Sequence, residues 1–187
     1  MIVPRHRTHL LVALLLVVGS GLAACDGGRG DPGGQEVEVD VADVVRDAGG
    51  NPVILLDEHD GSRTLPIWIG ISEARSIAAR LERIEPLRPN THDLAKSLLE
   101  GLGGSVERVV VTELRDRTYY GVIQLDGPTG HIEIDSRPSD AIALALRLDA
   151  PIFVREALFE EAGVDDEAES SPGREVRHRL EDEGESI

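Results

Sequence analysis

Valines alternate with charged residues at Val37, Val39 and Val41, and this period of two predicts a half-buried strand over Glu36–Val45. Two further apolar runs, Pro52–Asp57 and Arg63–Ile69, flank Glu58-His59-Asp60-Gly61 and predict a hairpin. Pro66 inside the second run marks an edge strand or a bulge, because proline has no N–H to give to a neighbouring strand. The period then lengthens. Ala74, Ile77, Ala78, Leu81 and Ile84 recur at helical spacing behind Ser72, a candidate cap. Leu94, Ala95, Leu98, Leu99 and Leu102 do the same behind Thr91, and Gly103-Gly104 terminates that helix. Both sets are expected to face inward. Val106–Leu114, Thr118–Leu125 and His131–Asp135 are separated by short polar or glycine-containing turns and predict an antiparallel meander.

The stretch Asp135–Leu148 departs from both periods. Arg137 stands before Pro138 and is pushed out of the α region. Ser139 is then the expected N-cap, with Asp140 in the first turn at the positive end of the helix dipole. From Ala141 to Leu146 no face is polar, so this helix is expected to be buried. Pro151–Arg155 is a last short strand. The pattern predicts one α+β domain over residues 36–158, a mainly antiparallel mixed sheet packed with about three helices.

Composition changes this picture at the two ends. Arg5, His6 and Arg7 precede nine apolar residues, Leu10–Val18, too few to span a membrane, and Leu22-Ala23-Ala24-Cys25 follows. This is an export signal over residues 1–24 whose ending resembles the lipobox of bacterial lipoproteins, with Cys25 as the lipidated residue. It implies a chain held at the cell envelope, on the periplasmic or outer-surface side of a bacterial membrane, by an N-terminal lipid. Residues 25–35 are glycine-rich and read as a flexible tether. Residues 159–187 are acidic, with Ser, Pro and Gly, and read as a disordered tail beyond a short helical stub. Cys25 is the single cysteine, which excludes an intramolecular disulfide and a cysteine metal site. The net charge of −16 argues against non-specific polyanion binding, yet residues 156–187 alone contribute 12 acids against 3 arginines, so an arginine cluster can survive in the folded part.

No glycine-rich phosphate loop, Gly-x-Ser-x-Gly elbow or His-Glu-x-x-His is present. Two polar helix starts remain, Arg88-Pro-Asn-Thr-His-Asp93 and Asp135-Ser-Arg-Pro-Ser-Asp140. Helix N-termini bind anions through free N–H groups, and arginine matches phosphate oxygens bidentately. Arg88, Thr91, Arg137 and Ser139 are therefore the candidate substrate-binding residues. His92 is a candidate acid or base, together with Asp93, Asp135 and Asp140. The same three aspartates are the candidate ligands for Mg²⁺ or Mn²⁺, hard ions that take carboxylate and phosphate oxygens. These residues also read as ordinary helix caps and a packed first-turn histidine, and spacing alone does not separate the two readings.

Leu65-Pro-Ile-Trp-Ile-Gly70 with Glu73-Ala74, Arg88-Pro-x-Thr-His-Asp93, Thr118-Tyr-Tyr120 and Asp135-x-Arg-Pro-Ser-Asp-Ala-Ile-Ala-Leu-Ala-Leu-Arg147 together resemble the bifunctional nuclease domain family, in order and spacing, from about Glu36 to Leu158. The resemblance implies a compact α+β oligomer that hydrolyses phosphodiester bonds of RNA, DNA or both, and it adds Glu73 and Tyr119 as second-choice site residues. A non-catalytic envelope ligand-binding or oligomeric scaffold module of the same fold would carry the same motifs. Trp68 and Ile69, at the end of the proline-interrupted strand, are where self-association is expected. For the lipid anchor, Cys25→Ser is expected to abolish incorporation of a tagged fatty acid that labels the wild-type chain; equal labelling of both would refute it.

Overall fold

The computed structural model describes residues 34–165; the export signal, Cys25, the tether through residue 33 and the tail from residue 166 lie outside them. Twelve elements run in the order β1 Glu36–Arg46, β2 Pro52–Glu58, β3 Arg63–Trp68, α1 Ile71–Leu81, α2 Thr91–Gly101, β4 Ser105–Arg115, β5 Thr118–Gly127, β6 Gly130–Ser136, α3 Pro138–Leu148, β7 Ile152–Arg155, α4 Glu156–Ala162 and β8 Val164–Asp165. The fold is α+β, as the pattern predicts, with a fourth short helix. The folded part also continues beyond Leu158: Val164 and Asp165 pair with Thr64 and Arg63 of β3.

The strands form one sheet in the order β6-β5-β4-β7-β1-β2-β3-β8. The β4-β5-β6 meander is antiparallel throughout. β7 slots between β4 and β1, parallel to the first and antiparallel to the second, which makes the sheet mixed. Val109, Val111, Ile152 and Val154 meet there at the centre of the core with Ile54, Leu56 and Leu65.

α3 covers this core. Ala141, Ile142, Ala143, Leu144 and Ala145 are all buried, as a helix with no polar face requires. Its start lies close over β5. Gly121 faces Ser136 across the β5–β6 ladder, and a Cβ on it would stand 3.4 Å from the N and Cα of Pro138. α1 packs beside α3 and buries Ala74, Ser76, Ile77 and Ala78.

α2 differs from its pattern. It packs on α3 and buries no residue fully. Ala95 and Leu99 lean on the core, whereas Leu94, Leu98 and Leu102 are 54%, 57% and 76% exposed. Residues four apart fall on one stripe, and a helix docked on another helix by one edge leaves the outer stripe in water. Ile84, expected on the inner face of α1, is likewise exposed beyond that helix's end. At the sheet margin, Pro66 pairs in regular register with Leu55, without a bulge. Trp68 is exposed, and its Nε1–H donates to Asp47 in the β1–β2 turn at 2.9 Å.

Ile142→Ala is expected to cost about 2–5 kcal/mol, because it opens a cavity under the buried helix. Leu98→Gln should change stability by no more than about 0.5 kcal/mol, since the side chain is already in water. Denaturant titration of both variants checks the pair; a large loss for Leu98→Gln would show that α2 is buried.

Candidate active site

Three helix ends meet around one cleft of about 580 Å³, lined among others by Glu73, Ser76, Asn90, Thr91, His92, Asp93, Lys96, Arg137, Asp140 and Arg147. Each end is fixed differently. α1 starts at Gly70 with no side-chain cap, so Ser72 does not cap it. α2 is capped by Asn90, not by Thr91. Asn90 Oδ1 accepts from the backbone N–H of His92 at 2.9 Å and of Asp93 at 3.1 Å, while Asp93 Oδ2 accepts from the N–H of Asn90 at 2.8 Å. This reciprocal capping box holds His92 in the first turn. α3 is preceded by Arg137 in extended conformation with Pro138 at the first turn. Ser139 therefore sits one position inside the helix and is buried, rather than acting as its cap. Proline's missing N–H is harmless there, and its ring fixes the residue before it.

A continuous chain of polar contacts runs through the cleft. Arg137 donates from Nε to Asp140 Oδ2 at 2.7 Å, and from Nη2 to Asp140 Oδ1 at 2.9 Å and Glu73 Oε1 at 2.6 Å. Asp140 Oδ1 lies 3.1 Å from His92 Nε2, and His92 Nδ1 lies 2.8 Å from Ser76 Oγ. Ser76 Oγ also accepts from Arg147 Nη2 at 2.9 Å and from Asn90 Nδ2 at 3.1 Å. Arg147 donates from Nε to Asp93 Oδ1 at 2.6 Å and from Nη1 to the Ala143 carbonyl at 2.8 Å. The inner half is closed, with Arg147 and Ser76 buried, whereas the Arg137 side chain is 63% exposed.

Burial by itself would raise the carboxyls of Asp93 and Asp140. In Asp93 the hydrogen bonds from Arg147 and the Asn90 N–H outweigh it, and in Asp140 those from Arg137 and His92 do, so both stay below the usual carboxylate range. Both are therefore ionised at neutral pH.

Of the residues expected from sequence, Thr91, His92, Asp93, Arg137 and Asp140 line the cleft, and Glu73 joins them. Ser139 and Arg88 do not; Arg88 is exposed on the loop before α2. Asp135 is exposed on β6, opposite Val122, away from the cleft lining. The expected metal trio Asp93, Asp135 and Asp140 is thus not brought together, and no cluster of three or more metal-ligating side chains forms among the described residues. The physical reason is that Asp93 and Asp140 are already committed to arginines and a helix cap, while a strand carries Asp135 elsewhere. Tyr119 is half-buried on β5 against the core, where burial pushes its phenol up. Sequence reasoning missed Ser76, Asn90 and Arg147 as members of the site. Two of them left a signal: Asn90 and Asp93 have capping-box spacing, and Arg147 ends an otherwise apolar buried helix.

A family model described as the bifunctional nuclease domain matches residues 53–167. An uncharacterised protein of Mycobacterium tuberculosis is 43% identical over 128 residues, covering 67% of this chain and 76% of its own length. Bifunctional nuclease 1 of Oryza sativa subsp. japonica is 32% identical over 114 residues, covering 59% of this chain and 34% of its own. Bifunctional nuclease 1 of Arabidopsis thaliana is 29% identical over 112 residues, with 58% and 34% covered. The chain thus spans about a third of the length of these plant relatives.

The two depressed aspartates give a signed pH dependence. A carboxyl whose folded pKa lies below its unfolded value of about 3.9 stabilises above that value, and the contribution disappears as pH falls through the folded value. Melting temperature is therefore expected to drop steeply below about pH 4. Asp93→Asn should cost about 2–4 kcal/mol at neutral pH by leaving Arg147 unpaired, and should flatten that acid limb. A variant with wild-type stability would show that the pair does not hold α2.

Proposed function

The chain belongs to the bifunctional nuclease domain family, and from that premise and the chemistry of the cleft we propose that it is a phosphodiester hydrolase acting on RNA, DNA or both. The observation that carries this reading is the Arg137–Asp140–His92 chain at the open side of the cleft. Arg137 spends Nε and Nη2 on carboxylates, while its Nη1 makes no hydrogen bond among the described residues and belongs to an exposed side chain. That free edge is suited to a phosphate oxygen. Arg75, Arg80, Lys96, Arg137 and Arg147 line the cleft against four carboxylates, so this one region escapes the acidity of the chain. A phosphodiester is held there by arginine, and the Asp140–His92 pair handles the proton of the attacking hydroxyl or water.

The donor set does not fit a protein-held divalent ion, because three of the four cleft carboxylates, Glu73, Asp93 and Asp140, are engaged by Arg137, Arg147, His92 and the α2 cap. No step of this reading passes through Mg²⁺ or Mn²⁺. The Cys25 lipid would hold the domain at the envelope, where extracellular or periplasmic nucleic acid is the available substrate. A second reading, a non-catalytic oligomeric scaffold at the same place, is favoured by the exposed Leu94, Leu98 and Leu102 stripe.

Cleavage of single-stranded RNA and DNA, run with Mg²⁺, with Mn²⁺ and with chelator, separates the two. His92→Ala and Asp140→Asn, each with a cooperative melt, should lose roughly 10²–10⁴-fold in rate. Equal trace activity in wild type and both variants, with a dimer or larger species by light scattering, would support the scaffold instead.

A further inference from the structure

Ser76 lies on the buried face of α1 and is 6% exposed. Its hydroxyl has three hydrogen-bonding neighbours: Arg147 Nη2, Asn90 Nδ2 and His92 Nδ1. A hydroxyl accepts through two lone pairs and donates one hydrogen. Arginine can only donate. Asn90 must present its NH₂ to Ser76, because its Oδ1 already accepts from the backbone N–H groups of His92 and Asp93. Both lone pairs of Ser76 are thereby taken, and its hydrogen has one partner left, His92 Nδ1.

We propose that Ser76, with both lone pairs filled by Arg147 and Asn90, is a positioning residue that fixes His92 as the neutral tautomer protonated at Nε2. This rests on the nuclease reading and assigns the two members of the proton-handling pair. The unprotonated ring nitrogen faces inward to Ser76. The nitrogen facing Asp140 carries the hydrogen, so His92 has no free lone pair on the cleft side. Asp140 is then the proton acceptor: it is ionised, its Oδ2 accepts from Arg137 Nε alone, and His92 Nε2–H donates to its Oδ1. In the step itself, Asp140 takes the proton of the attacking water or hydroxyl as the O–P bond forms, and the leaving oxygen departs from phosphorus and takes its proton from solvent. His92 holds the acceptor in place throughout. Ser76 itself is no nucleophile, because both of its lone pairs are occupied in the buried half of the site.

The test uses the full chain with ¹⁵N-labelled histidine, and the His92 signals are identified by their loss in His92→Ala. At neutral pH, Nδ1 is expected to appear unprotonated and Nε2 protonated. A ring protonated at Nδ1, or at both nitrogens, overturns the proposal. Ser76→Ala removes the one donor to Nδ1 and should mix the two tautomers, while kcat falls by roughly tenfold, the equivalent of one hydrogen bond, and KM is spared. Ser76→Thr keeps the hydroxyl and should restore the wild-type spectrum. An unchanged tautomer in Ser76→Ala overturns the role of Ser76. The spectrum is independent of turnover. A wild-type chain that shows the Nε2–H tautomer but cleaves nothing would refute the nuclease reading and leave the assignment of the proton standing.

Discussion

The site depends on one buried cation, Arg147. α2 carries His92 behind its Asn90 cap, yet buries no side chain fully, so apolar packing alone does not fix its position on α3. The Arg147 guanidinium does. From inside α3 it reaches Asp93 on α2, Ser76 on α1 and a carbonyl of its own helix, and thereby joins the three helices that form the cleft. A guanidinium presents several donors in one plane, which is why an arginine can satisfy three helices where a lysine would satisfy one direction at a time. The cost of burying its charge is offset by the Asp93 carboxylate, itself tied into the α2 capping box, and by the hydrogen bonds to Ser76 and the Ala143 carbonyl. Lys96 and Arg80 extend the arrangement by donating to the carbonyls of Arg147 and Leu146, where a helix C-terminus favours positive charge.

From that anchor outward the polar chain grades from rigid to accessible. Arg147 and Ser76 are buried, His92 is largely enclosed, Asp140 is a third exposed, and Arg137 reaches solvent. The proposed proton-handling pair would use such a gradient. Its inner partners would stay fixed when charge shifts, while the outer arginine would keep its carboxylates and offer its free edge to a phosphate oxygen. The net charge of −16 makes long-range capture of polyanions weak, so the proposed recognition would rest on contacts made within the cleft itself.

The order of elements was legible in the sequence because strand and helix periods report burial directly. The alternation in β1, the meander, and the all-apolar run of α3 each became the element expected, close to the expected ends. What failed was the inward orientation of α2. Leu94, Leu98 and Leu102 have the spacing of a core stripe, but spacing shows only that residues share a face, not what covers that face. The caps failed for a related reason. Ser72, Thr91 and Ser139 are each good capping types, yet Gly70, Asn90 and Arg137 occupy those positions, since the cap is decided by where the backbone leaves the extended conformation.

The sequence by itself determined the α+β class, the buried α3 helix, the two polar helix starts, and the family to which their motifs belong. These are local properties, readable from residues near one another in the chain. Only the tertiary structure decided which of the polar residues share a site. Ser76 and Asp140 meet His92 across 16 and 48 positions of the chain, whereas Asp135, only a few residues before Asp140, is carried away on β6. Hydrogen bonding and charge pairing act over a few ångströms of space, and which groups come that close is set by how the helices pack on the sheet.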